Sequence, residues 1–443
     1  MDTSRVGVAF AELTHFAGFD WASEKHDVVV VDGQGQVLME LEFPDTAEGW
    51  SILRGKLAEL VAPAKDLGRM GVAIETCRGP AVERLVDLGL AVYPMNPKAA
   101  ERFRDRKAPS GVKDDLLDAW SFADALRTDG HDWRPLQPDD PATQELRILC
   151  RDEIGLIQER TALVLRLEAT LHEYYPAARA AFDDWTMPAA WAFVLRFPTP
   201  ADLARKAKRT WEKFLHTHRL GHPETYERRM AIFAKAGAFV SPSTAVTNAK
   251  SLLAVSIVKQ LQTLHAQLLE YRARIEEAFA RHPDHDTFDS LPGAGPKLAP
   301  RLLGELGANR QGFSCAQDLQ CYAGTAPVTI QSGKRRWAKL RRACNSTLRF
   351  TVHLWADESR RWCAWAQAYY QKKREEGHRH AEALRALGHR WLKILWKMWQ
   401  EHATYDEARH LLAQTTHGSW VIGLLPQTPS AGTPKPAATV AAP

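Results

Sequence analysis

The chain has 443 residues, of which 45% are hydrophobic and 25% are charged, and its formal net charge at pH 7 is +5. This composition is that of a globular protein with two or three domains, and it excludes a largely disordered or fibrous chain. The six cysteines form no CxxC pair and no apolar run is long enough to cross a membrane. We therefore expect reduced thiols, a cytosolic location, no zinc site and no membrane role.

The first part of the chain alternates between strand and helix patterns. Strands alternating with helices predict an α/β domain with a mixed sheet, which we place at residues 1–135. The predicted elements are strands at Phe16–Trp21, Val28–Val31 and Val37–Phe43, a helix at Ala47–Val61, a strand at Gly71–Ile74, a helix at Pro80–Leu88, a strand at Ala91–Pro94 and a helix from about Val112 to Arg127.

The rest of the chain has helical patterns. Two long stretches, 142–175 and 250–281, repeat apolar residues at a spacing of three and four, which predicts an antiparallel coiled-coil hairpin or an oligomer seam. The expected organisation is a coiled-coil domain at 136–285 with a helical insertion at about 181–247, an all-α domain at 286–410, and a tail at 411–443 that is disordered from about residue 427.

Four acidic residues stand out within the α/β part. Asp20 lies in the first strand and Glu75 ends the fourth, and sheets of this type often place these two strands side by side. Asp115 and Asp118 share a helix face, and Asp114 could replace Asp115. Carboxylates without Cys or His nearby suit Mg²⁺ or Mn²⁺, and a pair of such ions can cut a phosphodiester.

Two other interpretations of these acids remain open. Asp20 could cap a turn, while Asp115 and Asp118 could be the solvated end of a helix. An actin-like phosphotransferase also begins with an aspartate on its first strand. That fold needs a glycine-rich loop after the aspartate, and the segment Trp21–Lys25 contains no glycine, which argues against nucleotide binding.

Basic residues form two local clusters, which suit a polyanionic partner, although a solvated surface is the alternative. The first precedes the acidic helix and comprises Arg102, Arg104, Arg106 and Lys107; the second comprises Lys334, Arg335, Arg336, Lys339, Arg341 and Arg342. Lys113, at the start of the acidic helix, is a further candidate for nucleic-acid contact. The fifteen tryptophans are concentrated from residue 337 onward. Core packing is the default role for them, and stacking on bases is a secondary one.

The segment Leu291–Ala299 is similar to the turn of a helix-hairpin-helix motif. Gly293 and Gly295 would let the backbone approach a phosphate, with Lys297 beside it, and the next helix would offer its free amides. A plain turn between core helices is the alternative.

The tripeptide Gln331-Ser332-Gly333 precedes the second basic cluster. A serine in this setting is far more often a turn residue than a nucleophile. If Ser332 is a nucleophile, it needs help from a base or metal. No His/Asp pair is adjacent in sequence, so that help would come from metals of the first domain, across a domain or subunit boundary.

Taken together, these blocks resemble the DEDD-type insertion-sequence transposases, over most of residues 15–405. Each block alone is weak, but the ordered set is specific. The matching blocks are Gly18–Ala22, Ile74–Thr76, Lys113–Ala119, Pro292–Pro296, Tyr322–Pro327, Gln331–Gly333 and Asn345–Arg349. The chain departs from the family at Cys344, where the family often has Gly.

The resemblance implies an RNase H-fold, RuvC-like first domain. It implies that Asp20, Glu75, Asp115 and Asp118 bind Mg²⁺ or Mn²⁺ and that Ser332 forms a transient phosphoserine link to DNA. It also implies a structured guide RNA and a dimer or tetramer whose subunits share active sites. The expected location is the bacterial cytosol, in association with the nucleoid.

The leading hypothesis is therefore a transposase that cuts and rejoins DNA with metal and serine. One alternative is a junction-resolvase-like nuclease in which water attacks and Ser332 is structural. A second is a nucleic-acid-binding scaffold without catalysis.

Overall fold

The computed structural model describes residues 9–61, 66–77, 79–107, 114–137, 139–236 and 243–425. Val112, Lys113 and the segment beyond residue 425, where disorder is predicted, lie outside this part. The chain divides into two compact units, Met1–Asp139 and Asp140–Pro443. All six cysteines are free. No helix in the described part of the chain has both the length and the apolar character that crossing a bilayer requires.

The first unit is built on a five-stranded mixed sheet, as the alternating sequence pattern predicts. The strands are β1 (His15–Trp21), β2 (Lys25–Asp32), β3 (Val37–Pro44), β4 (Met70–Ile74) and β5 (Ala91–Pro94). Their order in the sheet is β3-β2-β1-β4-β5. The first three strands are antiparallel, whereas β4 and β5 run parallel to β1. The predicted adjacency of the first and fourth strands is confirmed.

Helices cover both faces of this sheet, because successive side chains of a buried strand point to opposite faces. Phe19 and Val28 pack with the helices at 47–60 and 80–87, whereas Phe16 and Val29 pack with the helix at 115–129. The helices of this unit are α1 (Ala47–Leu60), α2 (Pro80–Asp87), α3 (Pro97–Lys107) and α4 (Asp115–Asp129), with short 3₁₀ turns at Phe10–Glu12, Leu67–Arg69 and Gly130–Asp132.

Gly18 allows α4 to lie directly against β1. A Cβ atom at this position would stand 1.8 Å from the Ala119 carbonyl oxygen and 2.6 Å from the Ala123 amide nitrogen. No side chain can occupy that space, so the close approach of α4 depends on glycine. This approach places the first turn of α4 near the end of β1, where Asp20 lies.

The second unit is mainly helical. Its helices are α5 (Pro141–Tyr174), α6 (Pro176–Ala181), α7 (Pro188–Arg196), α8 (Pro200–Ala204), α9 (Lys208–Thr217), α10 (Pro223–Lys235), α11 (Thr244–Ala280), α12 (His285–Asp289), α13 (Gly295–Leu306), α14 (Ala316–Tyr322), α15 (Ser346–Ser359), α16 (Ala364–Glu375), α17 (His380–Gln400) and α18 (Glu407–Thr416), with 3₁₀ turns at Arg310–Gly312 and Ile422–Leu424.

The two long helices predicted from the sequence, α5 and α11, pack against each other in opposite directions. Glu173 near the end of α5 pairs with Lys250 near the start of α11, at 2.6 Å. Glu153 in the middle of α5 pairs with Arg272, further along α11, at 3.1 Å. Coiled-coil geometry and a seam between subunits stay predictions.

The expectation of an all-α domain at 286–410 is wrong at one place. Two short antiparallel strands, β6 (Val328–Ser332) and β7 (Arg335–Lys339), form a hairpin between α14 and α15. Val328, Thr329 and Ile330 all have β-branched side chains, which favour a strand. Gly333 takes a left-handed conformation, with φ of 56°, which the tight turn requires.

The core of the second unit contains most of its tryptophans, as expected. Trp355, Trp365 and Trp391 are almost fully buried and lie in ring-to-ring contact. Three tryptophans differ: Trp337 is 41% exposed on β7, Trp362 is 61% exposed after α15, and Trp420 is 45% exposed near the end of the described chain. Core packing therefore does not account for these three side chains.

Candidate active site

Three elements bring the predicted acids to the sheet face that α4 covers. Asp20 follows Gly18 by two residues on β1, so its side chain points to the α4 side. Glu75 directly follows β4, which is parallel to β1 and beside it. Asp115 and Asp118 stand in the first turn of α4.

The other predicted acids act on Asp20 through their charge. The pKa of Asp20 is raised to about 6, first by burial and then by the negative charges of Asp118, Asp115, Asp27 and Glu75. Burial and like charges both disfavour the ionised carboxylate. A cation at this position would relieve both effects.

The two aspartates of α4 differ in their surroundings. Asp118 is 5% exposed, and its Oδ2 atom accepts a hydrogen bond of 2.7 Å from the Arg104 guanidinium. Asp115 is exposed. Asp114, the alternative to Asp115, is the N-cap of α4, and its side chain accepts a hydrogen bond from the Leu116 amide at 3.4 Å. Capping accounts for Asp114, which leaves Asp115 as the metal-ligand candidate.

The arrangement is not yet that of a metal site. Among the described residues, no three His, Cys, Asp or Glu side chains are grouped closely enough to hold a metal ion. The donors themselves are of the right kind, since hard carboxylate oxygens in mutual repulsion suit a divalent cation. Arg104 supplies positive charge to Asp118 in the present arrangement.

Asp27 is a buried acid beside this site that the sequence reasoning missed. It lies directly opposite Asp20 in the β1–β2 register and is 4% exposed. Its pKa is raised, first by burial; the nearby Lys25 opposes the rise, and the charge of Glu42 adds to it. The signal was available: the short turn between β1 and β2 fixes the register, which pairs residue 20 with residue 27.

Two arginines of the first basic cluster form ion pairs within this unit. Arg104 pairs with Asp118, and the Arg106 guanidinium lies 2.7 Å from Asp124. Arg102 is exposed. The side chain of Lys107, and Lys113 altogether, lie outside the described residues. Nucleic-acid contact by this cluster stays a prediction.

The segment predicted as a helix-hairpin-helix turn joins α12 and α13. Gly293 and Gly295 both have left-handed backbone conformations, with φ of 76° and 54°. A Cβ atom at Gly293 would stand 2.8 Å from the Ser359 amide nitrogen, so packing against the end of α15 already requires this glycine. Lys297 is exposed near the start of α13. Phosphate binding at this turn stays a prediction.

Ser332 occupies the tip of the β6–β7 hairpin, in the second unit. Its side chain is exposed, and it pairs with Arg335 across the turn formed by Gly333 and Lys334. The second basic cluster extends from the hairpin turn through β7 to Arg342. Its exposed members are Lys334, Arg335, Arg336, Lys339 and Arg342. Arg341 is half-buried and donates a hydrogen bond of 3.4 Å to the Ala326 carbonyl. The nucleophile candidate therefore lies in a strongly positive, accessible segment.

Cys344 stands where the family often has glycine, and its side chain fits because residue 324, against which it packs, is a glycine. A Cβ atom at Gly324 would stand 2.5 Å from the Cys344 sulfur. The next residue, Asn345, caps α15 by accepting from the Leu348 amide at 3.0 Å and donates to Glu305 at 2.7 Å. The turn before α15 is thus held by side-chain hydrogen bonds despite the missing glycine.

Comparison with known proteins identifies the family. A profile described as "Transposase" matches residues 17–176, and one described as "Transposase IS116/IS110/IS902 family" matches residues 285–371. The chain is 34% identical over 407 residues to the "Mini-circle putative transposase for IS117" of Streptomyces coelicolor, which covers 90% of this chain and 96% of that protein. The chain belongs to the DEDD-type IS110 transposase family.

The transposase is also 28% identical over 408 residues to the "Insertion element IS900 uncharacterized 42 kDa protein" of Mycobacterium paratuberculosis, covering 89% of this chain and 97% of that one. Both relatives align over nearly their whole length. Membership makes this protein a transposase, an enzyme that cuts and rejoins DNA. The resemblance inferred from the spaced sequence blocks is confirmed.

Proposed function

We propose that this transposase cuts DNA at a divalent-metal centre formed by Asp20, Glu75, Asp115 and Asp118, with Ser332 as the nucleophile. The observation that supports the metal centre is the environment of Asp20, whose pKa is raised to about 6 first by burial and then by the negative charges of Asp118, Asp115, Asp27 and Glu75. The strand order and directions fit an RNase H-fold, RuvC-like domain, in which we place the centre.

The acids would hold Mg²⁺ or Mn²⁺, which when bound supplies Lewis-acid stabilisation of the charge that develops on phosphate oxygens. Each residue then has a definable role. Asp20 and Glu75 offer oxygens from the sheet, and the two aspartates offer them from α4. Arg104 pairs with Asp118 and would balance its charge in the absence of a cation, and Asp118 would exchange this partner for the metal if it served as a ligand.

Ser332 is supported as nucleophile by its exposure at the hairpin tip and by the surrounding cations. Its Oγ atom would form a bond to phosphorus while one phosphorus–oxygen ester bond breaks. The serine hydroxyl proton is lost in this step, and the departing sugar oxygen gains a proton. A sugar hydroxyl of the strand to be joined then attacks the phosphoserine and releases Ser332, so rejoining needs no ATP.

The remaining parts of the proposal follow from the resemblance. A structured guide RNA would select the DNA by base pairing, as in other RNA-guided systems. The basic clusters and the turn with Gly293, Gly295 and Lys297 would hold sugar-phosphate backbone. A dimer or tetramer in the cytosol, with the α5–α11 pair as its coiled-coil seam, would share active sites between subunits.

The decisive experiment for Ser332 is a search for a covalent protein–DNA adduct. Labelled DNA that spans the ends of the element is incubated with the transposase and Mg²⁺, and denaturing gels report both strand cutting and adduct. We expect Ser332→Ala to abolish both. Thr329→Ala is the matched control, because this exposed hydroxyl lies on the opposite face of the same strand.

Two outcomes would redirect the proposal. Continued cutting by Ser332→Ala without an adduct would indicate a nuclease in which water attacks. Full transposition activity of Asp20→Asn would indicate a scaffold whose acids have no catalytic role.

A further inference from the structure

Trp337 is the exposed tryptophan of the β6–β7 hairpin. Its side chain is 41% exposed, whereas Trp355, Trp365 and Trp391 are packed together in the core. The ring therefore presents apolar surface to water in the most cationic segment of the chain. Exposure alone is common among single surface aromatics. The combination of an exposed ring with surrounding cations is what suits a binding role.

The hairpin register places Trp337 on the same face as Ser332. Ser332 pairs with Arg335, and Trp337 pairs with Ile330, two residues along each strand. Cross-strand partners share a face, and alternate residues of a strand return to it. Trp337 is thus the diagonal neighbour of Ser332, and diagonal neighbours are separated by about 7–8 Å, within reach of an aromatic side chain.

The charges around Trp337 select a nucleic acid as the partner. Lys334, Arg335, Arg336 and Lys339 are exposed, and residues 328–349 include no acid. Cations that follow the phosphates, together with an aromatic ring that stacks on a base, are the two components of single-strand recognition. In an intact duplex the faces of each base are already stacked, so the indole requires an unpaired nucleotide.

We propose that Trp337 stacks on an unpaired base of the DNA strand that Ser332 attacks, next to the phosphate that is cut. This inference rests on the proposed function, since it assigns the strand by the position of Ser332. Trp337 is a positioning residue: the stacked base fixes its own phosphate, and the hairpin geometry brings that phosphate to the serine Oγ. Cations alone hold the backbone but leave it free to slide.

The first test is photocrosslinking of the full-length protein with the RNA that it retains on purification. 5-Iododeoxyuridine is placed at single positions on both sides of the cut, and crosslinked peptides are identified by mass spectrometry. We expect a crosslink at Trp337 from a position adjacent to the cut phosphate. Trp337→Ala should lose it, and Trp362→Ala, which removes another exposed tryptophan, should keep it. The absence of a crosslink at Trp337 from every DNA position beside the cut would overturn the proposal.

The second test measures stacking through the rate of adduct formation on Ser332. Replacing the stacked nucleotide by an abasic one should slow the wild type by about tenfold. Trp337→Ala should slow the reaction by a similar factor on normal DNA and should not respond to the abasic nucleotide, while Trp337→Phe should restore most of the rate. Independent losses from the variant and the abasic nucleotide would show a merely structural role and overturn the proposal.

The two tests separate the stacking contact from the proposed function. A Ser332 adduct in a protein that shows no crosslink at Trp337 overturns the stacking contact and keeps the serine mechanism. A crosslink at Trp337 from DNA, in a wild-type protein that never forms a serine adduct, overturns the mechanism and keeps the contact.

Discussion

Asp20 is the residue at which the chemistry of the first unit is concentrated. It lies on a buried sheet, opposite Asp27, and on the same side as Glu75, which follows β4, and the acids of α4. Ionising it in the folded chain is unfavourable, so it opposes folding at neutral pH. Sequences retain such groups where function requires them.

Asp20→Asn should stabilise the metal-free protein at pH 7.5. The folded pKa of Asp20, about 6, lies above its ordinary value of 3.8, so the folded state binds the proton more tightly. Its contribution to stability is therefore greatest at low pH and is lost as the pH rises between about 4 and 6. We expect a gain of about 1 kcal/mol at pH 7.5, after allowance for solvent screening, and none at pH 3.5.

Urea denaturation of the two proteins with a chelator, at both pH values, measures this difference. Glu59→Gln is the control, since Glu59 is an exposed carboxylate on α1. Equal stability of the wild type and Asp20→Asn at pH 7.5 would contradict the assigned environment of Asp20.

At the scale of elements, the position of α4 against β1 depends on Gly18. Gly18→Ala should push α4 away from the sheet, because the new Cβ atom would overlap the Ala119 carbonyl oxygen. We expect a loss of stability of about 1–3 kcal/mol and a loss of DNA cutting, since α4 carries Asp115 and Asp118. Gly33→Ala is the matched control, because a Cβ atom there meets open space. Urea denaturation and the cutting assay measure these effects. Wild-type stability and cutting by Gly18→Ala would show that the position of α4 does not depend on Gly18.

The long helices of the second unit depend on a buried carboxylate. Glu153 of α5 is 2% exposed and accepts from Arg301 of α13 at 2.7 Å and from Arg272 of α11 at 3.1 Å. Glu153→Ala would leave the buried Arg301 guanidinium without this partner, so we expect a loss of about 3–5 kcal/mol.

Glu145→Ala is the control for Glu153→Ala, because its ion pair with Arg274 joins the same two helices at an exposed position, 3.7 Å apart. That change should cost less than about 1 kcal/mol. Thermal or urea denaturation provides both values, and similar losses for the two variants would show that burial of the Glu153 pair is unimportant.

At the scale of the whole molecule, the sequence was sufficient where a regular pattern repeats. The five strands and the helices α1, α2, α5 and α11 follow from apolar periodicity and from glycine and proline breaks. The four acids could be grouped because β1 and β4 are neighbours in this topology.

Features set by tertiary packing or by weak local patterns were missed. The ion pair between Arg104 and Asp118 depends on how α3 packs on α4, which no local pattern specifies. The β6–β7 hairpin has short, exposed strands without a buried face, so the usual alternation is too weak to show it. Asp27 could have been found, but only by working out the register of β1 and β2.

The most direct test of the metal centre is anomalous diffraction from crystals of the transposase bound to DNA and Mn²⁺. We expect an anomalous peak within coordination distance, about 2.0–2.3 Å, of carboxylate oxygens of Asp20, Glu75 and at least one aspartate of α4. The Arg104–Asp118 ion pair should be open in that complex if Asp118 is a ligand. Manganese bound elsewhere, with these four acids free of metal while DNA is in place, would contradict the account.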